Sequence, residues 1–281
     1  EKGEKENTSL ELYADGMKIV CLKGGLGNQM FEYCRFRDLM ESGHDEVYLF
    51  YDHRRLKQHN GLRLSDCFEL ELPSCPWGIK LVVWGLKICR AVGVLKRLYD
   101  DEKPEAVLID DYSQHRRFIP NARRYFFFRQ FLAELQSGFV QMIRAVDYPV
   151  SVHVRRGDYL HPSNSSFGLC GVDYFQQAIA YVRKKRPDAR FFFFSDDMEW
   201  VRENLWMEDA VYVEHTELLP DYVDLYLMTL CRGHIISNST FSFWGAYLAV
   251  DGNGMKIYPR RWFRDPTWTS PPIFSEEWVG L

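Results

Sequence analysis

Residues 151–159 read Ser-Val-His-Val-Arg-Arg-Gly-Asp-Tyr, and they place two adjacent guanidinium groups at the end of an alternating run. Val150, Val152 and Val154 alternate with Ser151 and His153, and Gly157 then breaks the pattern. Arg155 and Arg156 therefore fall where a strand gives way to a loop. In an open α/β sheet, ligands bind in the crevice beyond the carboxyl ends of the strands. Arginine in that position offers a planar fork of donors that grips phosphate bidentately and keeps its charge. His153, Arg155, Arg156 and Asp158 thus read as the core of a nucleotide-diphosphate site. His153, lying between two valines, also fits a satisfied core histidine, and His161 in the next loop is equally open.

Three further segments repeat the plan of strand, short polar or glycine-rich turn, and helix. Lys23-Gly24-Gly25-Leu26-Gly27-Asn28-Gln29 lets a backbone approach a ligand closely through Gly25 and Gly27. It echoes a dinucleotide fingerprint, but Met30 stands at the third glycine position and no clean acidic strand end follows. Ser195-Asp196-Asp197 closes a phenylalanine strand. Its carboxylates fit a ribose or guanine edge, and they fit the cap of the next helix equally well. No Asp-x-Asp pattern or neighbouring ligand set suggests a metal. Asn238-Ser239-Thr240-Phe241-Ser242 crowds hydroxyls and amides at a helix start. One cap needs fewer, so this segment reads as an anion site.

The elements that must carry these turns are legible as alternation. Strands are expected at 18–22, 47–51, 107–109, 150–155, 190–194, 211–214 and 234–237. Helices are expected at 28–40, 79–95, 129–146, 173–185, 198–205, 221–231 and 240–249. Uninterrupted apolar strands between amphipathic helices predict parallel sheets covered on both faces. The domains are read as 17–148 and 149–260, with residues 261–281 as a tail packing back on the first. Residues 1–16 are polar, lack the apolar stretch of a signal peptide, and read as a disordered extension.

The chain has 281 residues, 46% hydrophobic and 26% charged, which is ample for one or two cored domains. A net charge of −4 supplies no global basic field for nucleic acid. The clusters Arg116-Arg117, Arg123-Arg124 and Lys184-Lys185-Arg186 read as solvated faces. Seven cysteines, odd in number and without CxxC spacing, read as buried thiols of a reducing, cytoplasmic compartment. No apolar run reaches the ~20 residues of a membrane span. Ile79–Val94 comes nearest, is interrupted by Lys80, Lys87 and Arg90, and favours a core or cleft helix over an interfacial one.

Taken in order, the motifs resemble glycosyltransferase family 11, the α-1,2-fucosyltransferases of bacterial type. Lys23–Phe31 resembles the family's first motif, and Val152–Tyr159 its His-x-Arg-Arg-Gly-Asp-Tyr motif, which α-1,6- and protein O-fucosyltransferases share. Phe193–Leu205, Asp224–Cys231 with Ile235–Ala246, and Pro259–Phe263 resemble the later blocks. Glu32 and Phe243 depart from it, standing where glutamine and tryptophan are common. The resemblance implies a GT-B fold, two Rossmann-like domains facing a central cleft. It implies inverting transfer of fucose from GDP-β-L-fucose to a galactose 2-hydroxyl, without a metal or other cofactor. Catalysis would fall to Arg155, Asp158 and His153. The donor would meet Gly25, Gly27, Asn28, Gln29, Arg156, Ser195, Asp196, Asp197, Asn238, Ser239, Thr240, Phe241 and Ser242. Asp158, Glu32 and Asp173 are candidate bases. The partners would be GDP-fucose and a galactose-containing oligosaccharide, with no nucleic acid and at most peripheral contact with the inner face of a bacterial membrane. Alternatives are another fucosyl linkage, a non-catalytic nucleotide-sugar or glycan-binding module, and a nicotinamide dehydrogenase.

Overall fold

The computed structural model describes residues 16–281 except 58–59, 100–102, 104, 136–137, 162–165 and 215–218; the side chains of Arg55, Ala133 and Asp158 also lie outside the description. The extension expected over residues 1–16 falls, save Gly16, outside it. The chain divides into two compact units, up to Phe127 and from Phe128 onward. That division precedes Asp147–Pro149, where the sequence suggests one.

The first unit opens with β1 (Met17–Leu22), whose Ile19 and Val20 are fully buried. Gly24 turns the chain with φ +69°, a conformation glycine adopts without a Cβ penalty. Extended Gly25 then caps α1 (Leu26–Glu41), so Gly27, Asn28 and Gln29 lie inside the helix rather than in the turn. β2 (Glu46–Tyr51), α2 (Trp77–Val92) and β3 (Leu108–Ile109) follow. The sheet is parallel in the order β2-β1-β3. Ile79, Val83 and Leu86 of α2 pack on Ile19, Cys21 and Leu108.

The second unit contains the expected alternation. Its elements are α3 (Gly138–Arg144), β4 (Tyr148–Val154), α4 (Val172–Lys185), β5 (Ala189–Ser195), α5 (Met198–Asn204) and β6 (Val211–Tyr212). α6 (Tyr222–Thr229), β7 (Gly233–Ile235), α7 (Thr240–Tyr247), β8 (Lys256–Tyr258) and β9 (Val279–Gly280) complete it. The single helix expected over 129–146 is instead one helical turn at Gln130–Ala133 and a separate helix, α3. All six strands run parallel in the order β6-β5-β4-β7-β8-β9. This is the Rossmann order, with direction reversing between β4 and β7.

Every residue of β4 is buried, and Phe191, Phe192, Phe193 and Phe194 of β5 are wholly so. Each such phenylalanine contributes roughly 1.5–3 kcal/mol of apolar burial. Val150, Val152 and Val154 join Phe175, Ala178 and Val182 of α4 in one core. Strand alternation sends Ser151 and His153 to the other face. α4 stops ahead of Pro187, and Arg183, Lys184 and Lys185 complement the dipole at its last turn. Residues 261–281 differ from expectation. Their β9 pairs with β8, and Phe274 stacks on Tyr258 at 3.8 Å, so the segment completes the second sheet.

Candidate functional site

The switch point between β4 and β7 is where the two segments with the strongest chemistry emerge. Val150, Ser151 and Val152 pair in register with Gly233, His234 and Ile235. The arginine loop and the start of α7 therefore leave adjacent strands at the same edge. Direct bonds tie them together. Tyr159 Oη donates to the Asn238 carbonyl at 3.0 Å, and His153 Nδ1 meets Ser237 Oγ at 3.1 Å.

The arginines are held by the next strand end, as the parallel β4–β5 pairing dictates. Arg155 pairs with Asp196 at 3.0 Å. The Arg156 backbone amide donates to Asp196 Oδ1 at 2.9 Å, and its Nε donates to Asp197 Oδ2 at 3.1 Å. The Arg156 guanidinium lies 3.9 Å from the centre of the Trp200 ring. Ser195 Oγ donates to the Val154 carbonyl at 2.9 Å and accepts from the Asp197 amide, fastening the two strand ends. Asp197 also caps α5 through the Trp200 amide at 3.2 Å. The two carboxylates thus act as clamps for the guanidinium pair. Gly157 leaves room for this clamp, because a Cβ there would sit 2.7 Å from Asp196 Oδ2 and push the carboxylate aside.

Across the switch point, Ser239 is the extended residue that precedes α7, and its side chain makes no cap bond. The first-turn amides of a helix have no intrahelical acceptor and carry the positive end of its dipole. Thr240, Phe241 and Ser242 supply those amides. The hydroxyl of Ser242 is occupied, donating to the carbonyls of Ser237 and Ser239. Asn238 is a brace rather than a ligand-facing group: its Nδ2 donates to Gly168 and Trp262 at 2.6 and 2.7 Å.

His153 is buried, and its ring tilts against Phe241. Burial first, and Arg155 second, hold its pKa down at about 3, so the imidazole stays neutral. Of the two readings of His153, its burial and its bond to Ser237 fit the satisfied core histidine, which positions the Ser237 segment. The side chain of Asp158, at the start of a short turn Asp158–Leu160, lies outside the description. Asp173 sits in the first turn of α4, where a carboxylate complements the dipole.

In the first unit, Gln29 is also corrected. It is fully buried, donates to the carbonyls of Gly24 and Gly61, and accepts from the Arg63 amide, so its amide is spent on the fold. Asn28 accepts from Gln114 at 3.0 Å. Glu32 is fully buried; Oε2 accepts from the Lys23 amide at 2.8 Å, and Oε1 has no partner among the described residues. Burial pushes its carboxyl well above the usual range.

Sequence reasoning passed over Tyr159 and Trp200 as site residues. Tyr159 stands inside the arginine motif, and Trp200 in the first turn after Asp197, so position was the available signal. A cavity of about 810 Å³ adjoins this loop, lined by Tyr159, His161, Phe167, Gly171, Arg261 and Arg264 among others. No group of three or more acidic, histidine or cysteine side chains suited to a metal occurs among the described residues.

Paired arginines and a helix start that leave adjacent strands at a Rossmann switch point are the arrangement in which α/β proteins accommodate nucleotides or phosphates. The glycosyl transferase family 11 profile matches residues 121–281, more than half of the chain. The chain belongs to glycosyl transferase family 11 and is a glycosyltransferase. It is 25% identical to the O-antigen biosynthesis glycosyltransferase WbnK of Escherichia coli, over 93% of this chain and 99% of that one. It is 28% identical to an alpha-1,2-colitosyltransferase of Escherichia coli, covering 94% and 98%. The galactoside 2-alpha-L-fucosyltransferase SEC1 of Bos taurus is 27% identical, covering 95% and 74%. In fold it is similar to the NodZ alpha-1,6-fucosyltransferase co-crystallized with GDP, with TM-score 0.53 at 15% identity over 84% and 93% of the two chains.

Proposed function

We propose that this glycosyltransferase is an inverting α-1,2-fucosyltransferase, moving fucose from GDP-β-L-fucose to the 2-hydroxyl of a galactose-containing glycan. The observation that carries the reading is that the loop bearing Arg155 and Arg156 and the start of α7 leave the adjacent strands β4 and β7 at the switch point and are tied to each other through Tyr159 and Asn238. The names of the α-1,2 relatives support the linkage. In this reading the two units form a GT-B pair, and the Gly25–Asn28 segment approaches the donor from the first.

The acceptor oxygen bonds to the anomeric carbon while the bond from that carbon to the phosphate oxygen breaks. The electron pair leaves with GDP, and the hydroxyl proton passes to a base, for which Asp158 is the candidate. Charge grows on the diphosphate in the transition state, so a fixed cation there lowers the barrier rather than merely tightening binding. Arg155 does this work. Arg156, held through Nε and therefore keeping its terminal fork, assists with the first-turn amides of α7. These fixed charges take the part a metal plays in other sugar transferases, and a chelator is expected to leave the rate unchanged. Ser195, Asp196 and Asp197 shape the donor site by clamping the arginines.

The test is incubation with GDP-fucose and a panel of galactosides, followed by linkage determination of the product. A fucosyl-α-1,2-galactose product supports the reading. Another linkage, or GDP-fucose binding without turnover, overturns it. Because a colitosyltransferase is among the relatives, a GDP-linked colitosyl donor belongs in the same panel, and exclusive use of it reassigns the donor.

A further inference from the structure

α2 is apolar on two sides. One side, Ile79, Val83 and Leu86, is buried in the first unit's core. On the other, Trp77, Leu81, Trp84, Ile88 and Val92 recur at four- and three-residue steps and form a single outward stripe. Trp77 is 72%, Trp84 68% and Val92 66% exposed, and Val94 and Leu95 continue the apolar surface past the helix end. At 1.5 Å per residue the stripe runs roughly 24 Å. The interfacial reading of this segment, set second on sequence alone, thus gains a surface.

Charge says what covers it. Between Glu71 and Asp100 stand Lys80, Lys87, Arg90, Lys96 and Arg97, and no acidic residue, in a chain whose net charge is −4. At 100° per residue, Lys80 and Lys87 fall along one border of the stripe. Lys80, Lys96 and Arg97 are exposed beside it. Lys87 and Arg90 are paired with Asp110 at 3.7 and 3.5 Å, which leaves Lys80, Lys96 and Arg97 as the cations beside the stripe, and a second copy docked symmetrically here would set these like charges against one another. Apolar residues with exposed tryptophans, rimmed by cations, match a surface of lipid tails topped by anionic headgroups. No helix among the described residues is long and apolar enough to cross a membrane, so the contact is parallel to the bilayer plane.

We infer that the outer face of α2, with Val94–Arg97, binds anionic phospholipid bilayers and holds the enzyme at a membrane surface. The full chain is mixed with vesicles of phosphatidylcholine alone or with added phosphatidylglycerol, and floated on a density gradient. Wild type is expected to float with the anionic vesicles, less so at high salt, with a blue shift of tryptophan emission. Trp77→Ser/Trp84→Ser and Lys80→Glu/Lys96→Glu are each expected to lower partition about tenfold. Trp206→Ser, another exposed tryptophan on the second unit, is expected to leave it unchanged. Circular dichroism confirms that the variants are folded. Failure of folded wild type to float overturns the inference. So does equal flotation of the double variants, or a concentration-dependent dimer that these substitutions abolish in place of any vesicle binding. None of these readouts depends on transferase activity.

Discussion

At the residue scale, the site is a set of clamped charges. Arg155 and Arg156 are held by Asp196 and Asp197, which are themselves fixed by backbone and cap bonds. Arg155→Ala is expected to lower turnover by roughly two or more decades, the cost of losing one charge-stabilising donor. Its thermal unfolding should stay near wild type, because Arg155 is a partly exposed loop residue. Near-normal transfer by that variant would remove it from catalysis. Gly157→Ala drives a Cβ into Asp196 and is expected to depress activity as strongly while leaving the second core intact, as near-ultraviolet circular dichroism would report. Glu32 carries a different signature. Its folded pKa is raised, so the native state holds a proton that the unfolded state loses above the ordinary carboxyl range, and stability drains as pH rises. Glu32→Gln keeps an acceptor for the Lys23 amide and is expected to flatten that alkaline-side decline in a melting-temperature series.

At the scale of elements, the coupling lies between the loop after β4 and the start of α7. Tyr159→Phe removes only the hydroxyl that donates to Asn238. The expected result is a several-fold rise in KM for the donor with a smaller change in kcat, because the lost bond aligns the two segments proposed to hold the phosphates rather than touching the reacting atoms. Much of this scale was readable from the chain. β5 appears as an unbroken phenylalanine run and β4 as valines alternating with Ser151 and His153, so their ends could be located to within a residue or two. β8 and β9, with three and two residues, are too short to show a period and went unseen. The division of 129–146 into two helical pieces went unseen because no proline separates them. α2 misled in the other direction. A helix that is apolar on both sides looks like a core helix in sequence, and only its exposure separates the face turned inward from the one turned out.

At the scale of the whole molecule, burial of neutral imidazoles sets the acid limit. Burial holds His153 and His234 at about 3, against an ordinary 6.5. Below the ordinary value the unfolded chain takes up protons there and the native protein does not. Stability should therefore fall as pH drops from about 6.5 toward 3, by up to ~1.4 kcal/mol per pH unit for each histidine. Glu32 opposes one of these slopes above its ordinary value. Melting temperatures measured between about pH 5 and pH 7 should decline on the acid side, and a flat profile in the Glu32→Gln variant, where the opposing slope is removed, would show that neither histidine is neutral and buried in solution. By itself, the chain determined the parallel α/β class, the order of its strands along the polypeptide and the residue types at each turn, because these follow from local periodicity and from glycine and proline punctuation. Which strands lie side by side was decided only by tertiary packing. Sheet order brings residues eighty positions apart to one edge, turns Asp196 and Asp197 into clamps and Gln29 and Asn238 into braces, and leaves one face of α2 without a core to enter. Pairing of distant segments depends on the sum of burial over the whole fold, and no local pattern encodes that sum.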